Sequence, residues 1–114
     1  MSERIKKLND LLRDEVAKIL LAGLEKDDSI LVTVTGADVS STLEHATIKI
    51  SVYPDSKARQ ILKKINQKIY NVQQLLNKRL AMRPIPKIRF EIDQREEQAS
   101  KINELFKKHG HVAK

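Results

Sequence analysis

The spacing of apolar residues changes repeatedly along this chain, and each change limits which backbone can bury them. From Glu3 to Ala22, Ile5, Leu8, Leu12, Val16, Ile19 and Leu20 fall three or four apart. That is one stripe of a helix, and Gly23 is placed to end it in a left-handed conformation. A polar loop follows from Glu25 to Ser29, and the period then drops to two. Ile30, Val32 and Val34 take one face against Thr33 and Thr35, with Gly36 as an expected bulge. Beyond the polar turn Ser40-Ser41-Thr42, Ala46, Ile48, Ile50 and Val52 alternate with Thr47, Lys49, Ser51 and Tyr53. Two adjacent strands with one dry face each predict an antiparallel pair packed on helices.

Pro54-Asp55-Ser56 ends this strand and offers a helix N-cap. Helical spacing then returns through Ala58, Ile61, Ile65, Ile69, Val72, Leu76 and Leu80, read as one long helix. Met82-Arg83-Pro84-Ile85-Pro86 breaks it, since proline lacks the amide donor and restricts the residue before it. From Lys87 to Asp93 the period is two again, with Ile88, Phe90 and Ile92 inward. Asp93 with Glu96 reads as a capping box for a short last helix carrying Ala99, Ile102 and Phe106. The expected order is α-β-β-α-(α)-β with a C-terminal helix. At 114 residues the chain is expected to be a single α+β domain with one modest core.

Charge is segregated. From Ser56 to Phe90 ten residues are Lys or Arg and none is Asp or Glu, while the remainder holds 12 basic and 15 acidic residues. Ordinary solvated helices intersperse acids for i,i+4 pairing, so an acid-free block of this kind points to polyphosphate. At about 100° per residue a straight helix places Lys57, Lys64, Lys68 and Arg79 on one flank of its apolar stripe. Arg59 and Lys63 fall on the other side and read as general surface charge. Lys78 and Arg83 stand at the helix exit, Lys87 and Arg89 alternate outward on the last strand, and Lys49 is an expected neighbour across the sheet.

Other chemistry finds no foothold. The serines around Ser40, with His45, lack a glycine-rich nucleophile elbow, and the carboxylates form no pair placed for acid–base work. Gly23, Gly36 and Gly110 are the only glycines, too few and too scattered for a phosphate-binding loop. The absence of cysteine excludes disulfides and thiolate metal sites, and His109 with His111 lack a third ligand. No cofactor, metal or catalytic set is therefore expected. No apolar run approaches the roughly 20 residues of a membrane span, and Met1 to Asp10 does not read as a signal peptide. A cytoplasmic monomer is expected. Tyr53, Tyr70, Phe90 and Phe106 do not cluster in sequence, which disfavours a base-stacking platform and favours recognition of a folded RNA surface.

The stretch Lys78-Arg79-Leu80-Ala81-Met82-Arg83-Pro84-Ile85-Pro86-Lys87-Ile88-Arg89-Phe90-Glu91-Ile92-Asp93 resembles the signature of the ribosome-binding factor A family. Val32-Thr33-Val34-Thr35 and Ser40 to Ala46, leading into Ile48-Lys49-Ile50-Ser51-Val52, are similar to its strand hairpin. The resemblance runs from the first helix to about Leu105. It implies a type II KH-like domain over residues 1–108, α-β-β-α-(kink)-α-β, with a three-stranded sheet, helices on one face, a short C-terminal helix and a flexible tail over 109–114. Two positions depart from the family. Lys68-Ile69-Tyr70 stands where the family bends its middle helix at Ala-x-Gly, so the bend is expected to be milder, displaced towards Asn71, or absent. Thr42 stands where an aspartate is common.

The resemblance further implies a non-enzymatic assembly factor. Such factors bind free or immature small ribosomal subunits through small-subunit rRNA and assist late rRNA processing, including in the cold. Lys57, Lys64, Lys68, Lys78, Arg79, Arg83, Lys87 and Arg89 are the RNA-binding candidates. The alternative is a protein-interaction module that docks the same basic face on an acidic protein partner.

Overall fold

The computed structural model describes residues 3–23 and 29–93. Helix α1 spans Glu3–Gly23, strands β1 and β2 span Leu31–Val39 and His45–Tyr53, helices α2 and α3 span Ala58–Gln67 and Ile69–Arg79, and strand β3 spans Lys87–Ile92. The strands form one sheet in the order β1-β2-β3. β1 runs antiparallel to β2, as two consecutive strands joined by a short turn can. β3 runs parallel to β2, which requires the crossover that α2 and α3 supply.

The apolar stripes meet where the alternation predicts. Ala46, Ile48, Ile50 and Val52 of β2 are buried, as are Ile88 and Phe90 of β3. They pack against Leu12, Val16, Ile19 and Leu20 of α1, Ile61 and Ile65 of α2, and Val72 and Leu76 of α3. Thr47, Lys49, Ser51 and Tyr53 lie on the other side of β2, towards solvent. On each free edge of the sheet an amide side chain from a helix caps a backbone donor. Asn9 of α1 accepts the Val39 N–H through Oδ1 at 2.9 Å. Gln73 of α3 accepts the Ile88 N–H through Oε1 at 2.9 Å and donates Nε2 to the Pro86 carbonyl at 3.2 Å. Backbone groups on an open edge otherwise template pairing with another chain.

Local geometry departs from sequence expectation at several points. The long helix is two: Lys68, at φ −105° and ψ 8°, separates α2 from α3. Its N–H bonds the Ile65 carbonyl at 3.0 Å, a tighter turn that interrupts the α-helical pattern. The bend therefore exists without Ala-x-Gly and falls at Lys68 rather than towards Asn71. Pro54-Asp55-Ser56 supplies no side-chain cap; Asp55–Lys57 is a 3-10 turn closed by Lys57 N–H to the Pro54 carbonyl at 3.0 Å. Gly23 is the last residue of α1 and is not left-handed. The β1 bulge is real, but Thr35 is its extra residue: Val34 pairs with Ile50 and Gly36 with Lys49. Gly36 has negative φ, and a Cβ there would meet nothing within 4 Å, so glycine's freedom is not what the bulge uses.

The bulge instead turns the Thr35 hydroxyl onto Asp93, with Oγ1 2.7 Å from Oδ2. Asp93 is 3% exposed, and its N–H bonds the Ile50 carbonyl at 2.7 Å. The left-handed residue of the hairpin turn is Leu43, at φ 65°. Leu43 N–H bonds the Ser40 carbonyl at 2.9 Å, and its side chain packs against the core. The Glu96 half of the capping box, the helix expected around Ala99, Ile102 and Phe106, and the tail from His109 lie outside the described residues.

Candidate nucleic-acid interface

All ten cations between Ser56 and Phe90 are exposed. Six of them, Lys57, Arg59, Lys63, Lys64, Lys78 and Lys87, make no ion pair or side-chain hydrogen bond among the described residues. The field is reinforced by where the helices start. Neither α2 nor α3 has an acid in its first turn or a side-chain cap, and each is preceded at its N-cap by a lysine, Lys57 and Lys68. The positive end of the α2 dipole thus adds to the side-chain charge at Lys57, whereas that of α3 abuts the carbonyl end of α2 at Lys68.

The eight predicted residues do not form one patch. Lys57 and Lys64, seven residues apart, share a flank of α2. Lys68 and Arg79 are drawn towards α1. The last turn of α1 holds no cation of its own, and Lys68 Nζ donates to the Gly23 carbonyl there at 3.2 Å. Arg79 Nε donates to Glu15 Oε1 at 2.8 Å, tying α3 to α1. The hydrogen bonds from Arg79 and then Lys18 hold the Glu15 carboxyl below its ordinary range. Lys78 stands on the solvent side of α3. Arg83 curls back on its own loop, donating to the Leu80 carbonyl at 3.0 Å and the Met82 carbonyl at 2.7 Å.

Lys87 and Arg89 sit elsewhere. Because Ile88 and Phe90 point to the helices, these two project onto the open face of the sheet, where Arg89 pairs with Glu91 at 2.8 Å and donates to Thr47 Oγ1 at 3.2 Å. There Lys87 and Arg89 line a groove of about 740 Å³ with Asp38, Ser40, His45 and Thr47. Lys49 shares that face, paired with Glu91 four residues along β3 from Lys87. Ser40 is engaged in its turn, its Oγ accepting the His45 N–H at 3.2 Å.

Two features escape one-dimensional reading. Arg59 and Lys63, set aside as general charge, line a depression on α2 with Leu62, Asn66 and Gln67. Their four-residue spacing was the available signal. A second depression lies between α3 and the loop before β3, lined by Gln73, Asn77, Arg83, Pro84, Ile85 and Lys87. Lys87 therefore reaches both this depression and the sheet groove. Among the described residues no group of three His, Asp or Glu side chains could hold a metal ion, and no helix is long and apolar enough to cross a membrane.

Comparison with known proteins agrees with this architecture. Residues 4–106 match the family described as ribosome-binding factor A. The ribosome-binding factor A of Halothermothrix orenii is 31% identical over 93% of this chain and 88% of its own length. That of Prochlorococcus marinus is 34% identical over 81% of this chain and 77% of its own. Among solved structures, the crystal structure of ribosome-binding factor A from Thermus thermophilus superposes with a TM-score of 0.65 at 18% identity, covering 77% of this chain and 93% of that one. A homology model of the Thermus thermophilus factor, fitted into a cryo-EM map of a 30S complex, gives a TM-score of 0.59 at 19% identity, over 73% of this chain and 88% of that one. At such identities the likeness carries the KH-like α+β fold.

Proposed function

The chain belongs to the ribosome-binding factor A family, and from that premise we propose that it is a non-enzymatic assembly factor for the small ribosomal subunit. It binds free or immature small subunits through small-subunit rRNA and assists late rRNA processing, including in the cold, in the cytoplasm. A Thermus thermophilus relative has been placed on the 30S particle, which supports the same target here. The observation that carries the reading is that every cation of the acid-free block is exposed and most of them have no partner among the described residues.

The mechanism is differential affinity. A protein that binds one RNA arrangement better than another shifts the population towards it, by no more than that difference in affinity. Phosphate contacts from Lys57, Lys64, Lys78, Arg83, Lys87 and Arg89 would supply most of the binding free energy. Lys68 and Arg79 serve twice, because each also ties the helix pair to α1.

Binding to free small subunits, complete ribosomes and an unrelated structured RNA, each across a salt series, tests the proposal. Selective binding to free small subunits, with a log–log salt slope of about −3.5 to −4.5 for about five phosphate contacts, is expected. Equal binding to every RNA would reduce the surface to a generic polyanion face. Partners that survive nuclease treatment of a lysate would favour docking on an acidic protein instead.

A further inference from the structure

We infer that Tyr70 is a stacking platform for one unpaired nucleobase, held between two phosphate-binding depressions on a single flank of α2 and α3. The inference rests on the RNA-binding reading and adds a specificity-determining residue to it. Tyr70 is 72% exposed at the head of α3, and its hydroxyl makes no hydrogen bond among the described residues. A large ring so exposed is ordinary by itself; its position is what gives it a use.

Tyr70 and Asn77 are seven residues apart, so they differ by only about 20° around α3. Asn77 lines the depression that contains Arg83 and Lys87. In the other direction, three residues before Tyr70, Gln67 closes the depression on α2 that contains Arg59 and Lys63. Arg59, Lys63 and Asn66 follow at spacings of four and three, one line along α2. A single strand laid along this flank meets two unpaired cations, then an aromatic ring at the helix junction, then an amide and two further cations. Neither depression is lined by an acid, and the segment that builds them, from Ser56 to Phe90, contains none. Phosphates on cations with a base on an aromatic ring is the general arrangement for unpaired RNA.

Tyr53 offers a contrast. It is 71% exposed, yet it sits on the open sheet face opposite Leu31, away from the unpaired cations of the helix flank. The break at Lys68 places Tyr70 second in α3, in the first turn of a new helix.

The composition makes the test direct. The chain has no tryptophan and only Tyr53 and Tyr70, so in Tyr53→Phe the tyrosine emission comes from Tyr70 alone. That variant is titrated at low salt with a short oligouridylate and with an abasic oligomer carrying the same number of phosphates. Quenching by the oligouridylate and not by the abasic oligomer is expected. Tyr70→Ala should weaken oligouridylate binding about 10-fold and leave abasic binding unchanged, with Tyr70→Phe restoring affinity. Equal affinity for both oligomers with unquenched emission would overturn the stacking role while leaving the phosphate-binding reading intact. Failure of both oligomers to bind would overturn the two together.

Discussion

Gln73 does for β3 what a fourth strand would do, and removing it should cost the domain a large share of its margin. Its Oε1 accepts the Ile88 N–H at 2.9 Å, and its Nε2 donates to the Pro86 carbonyl at 3.2 Å. Each such bond is worth about 0.5–1.5 kcal/mol net, and about 1–3 kcal/mol when the partner is left buried and unsatisfied. Ile88 and Pro86 are both buried, so water replaces the amide poorly. Gln73→Ala should therefore destabilise by about 2–3 kcal/mol, a fall in Tm of about 8–15 °C for a domain of this size. Gln74→Ala, one residue on and exposed, is the control and should stay within about 0.5 kcal/mol of the parent.

Urea and thermal denaturation measure the difference, and hydrogen exchange at the Ile88 amide locates it. Gln73→Glu sharpens the test. It keeps an acceptor for the Ile88 N–H but sets a carboxylate oxygen against the Pro86 carbonyl oxygen. It should be less stable than the parent at neutral pH and recover part of the loss as acid protonates the carboxyl and restores a donor. If Gln73→Ala melts with Gln74→Ala and Ile88 exchange is unchanged, the edge-cap reasoning is wrong.

Other consequences follow from the same geometry. Leu43 is left-handed at φ 65°, so Leu43→Gly should be more stable than Leu43→Ala by about 1 kcal/mol in urea titrations, reversing the usual order; both lose the same packing, but glycine alone sheds the steric cost. Glu15 has a folded pKa below its ordinary value, so its contribution to stability is complete above the unfolded carboxylate pKa of about 4.3 and is lost as pH falls through the lower folded value. The stability difference between parent and Glu15→Gln should accordingly vanish in acid, which a pH series of denaturation curves would show. Lys64→Glu should weaken small-subunit binding with Tm unchanged within about 2 °C, since Lys64 makes no ion pair or side-chain hydrogen bond among the described residues; Arg79→Glu should lower both, because it also sets two carboxylates together between α1 and α3.

Much of the fold was legible in the chain because burial has a period. The one-sided alternation of Ala46, Ile48, Ile50 and Val52 predicts β2 and its dry face without further information, and each of these residues is buried. The stripe through Leu12, Val16 and Leu20 does the same for α1. The division between α2 and α3 was less visible, since Ile65, Ile69 and Val72 keep helical spacing straight through the bend at Lys68. Periodicity reports which side of a helix is apolar and says little about a change of axis that keeps the same side buried.

For the candidate interface, the chain by itself determined that ten cations lie in one acid-free block, a matter of composition no folding can alter. Only the tertiary structure decided which of them are available. Lys64 and Lys68 look equivalent along the chain, yet Lys68 reaches the last carbonyl of α1 and Lys64 reaches solvent. Arg79 is tied to Glu15, 64 positions away, and the alternation of β3 carries Arg89 to the open face of the sheet while Lys87 borders both that face and the depression beside α3. Local spacing fixes a side chain's direction relative to its own element. Its partner is set by how elements pack, through contacts between residues far apart in sequence, and that is where charge in this chain is either spent on structure or left for a ligand.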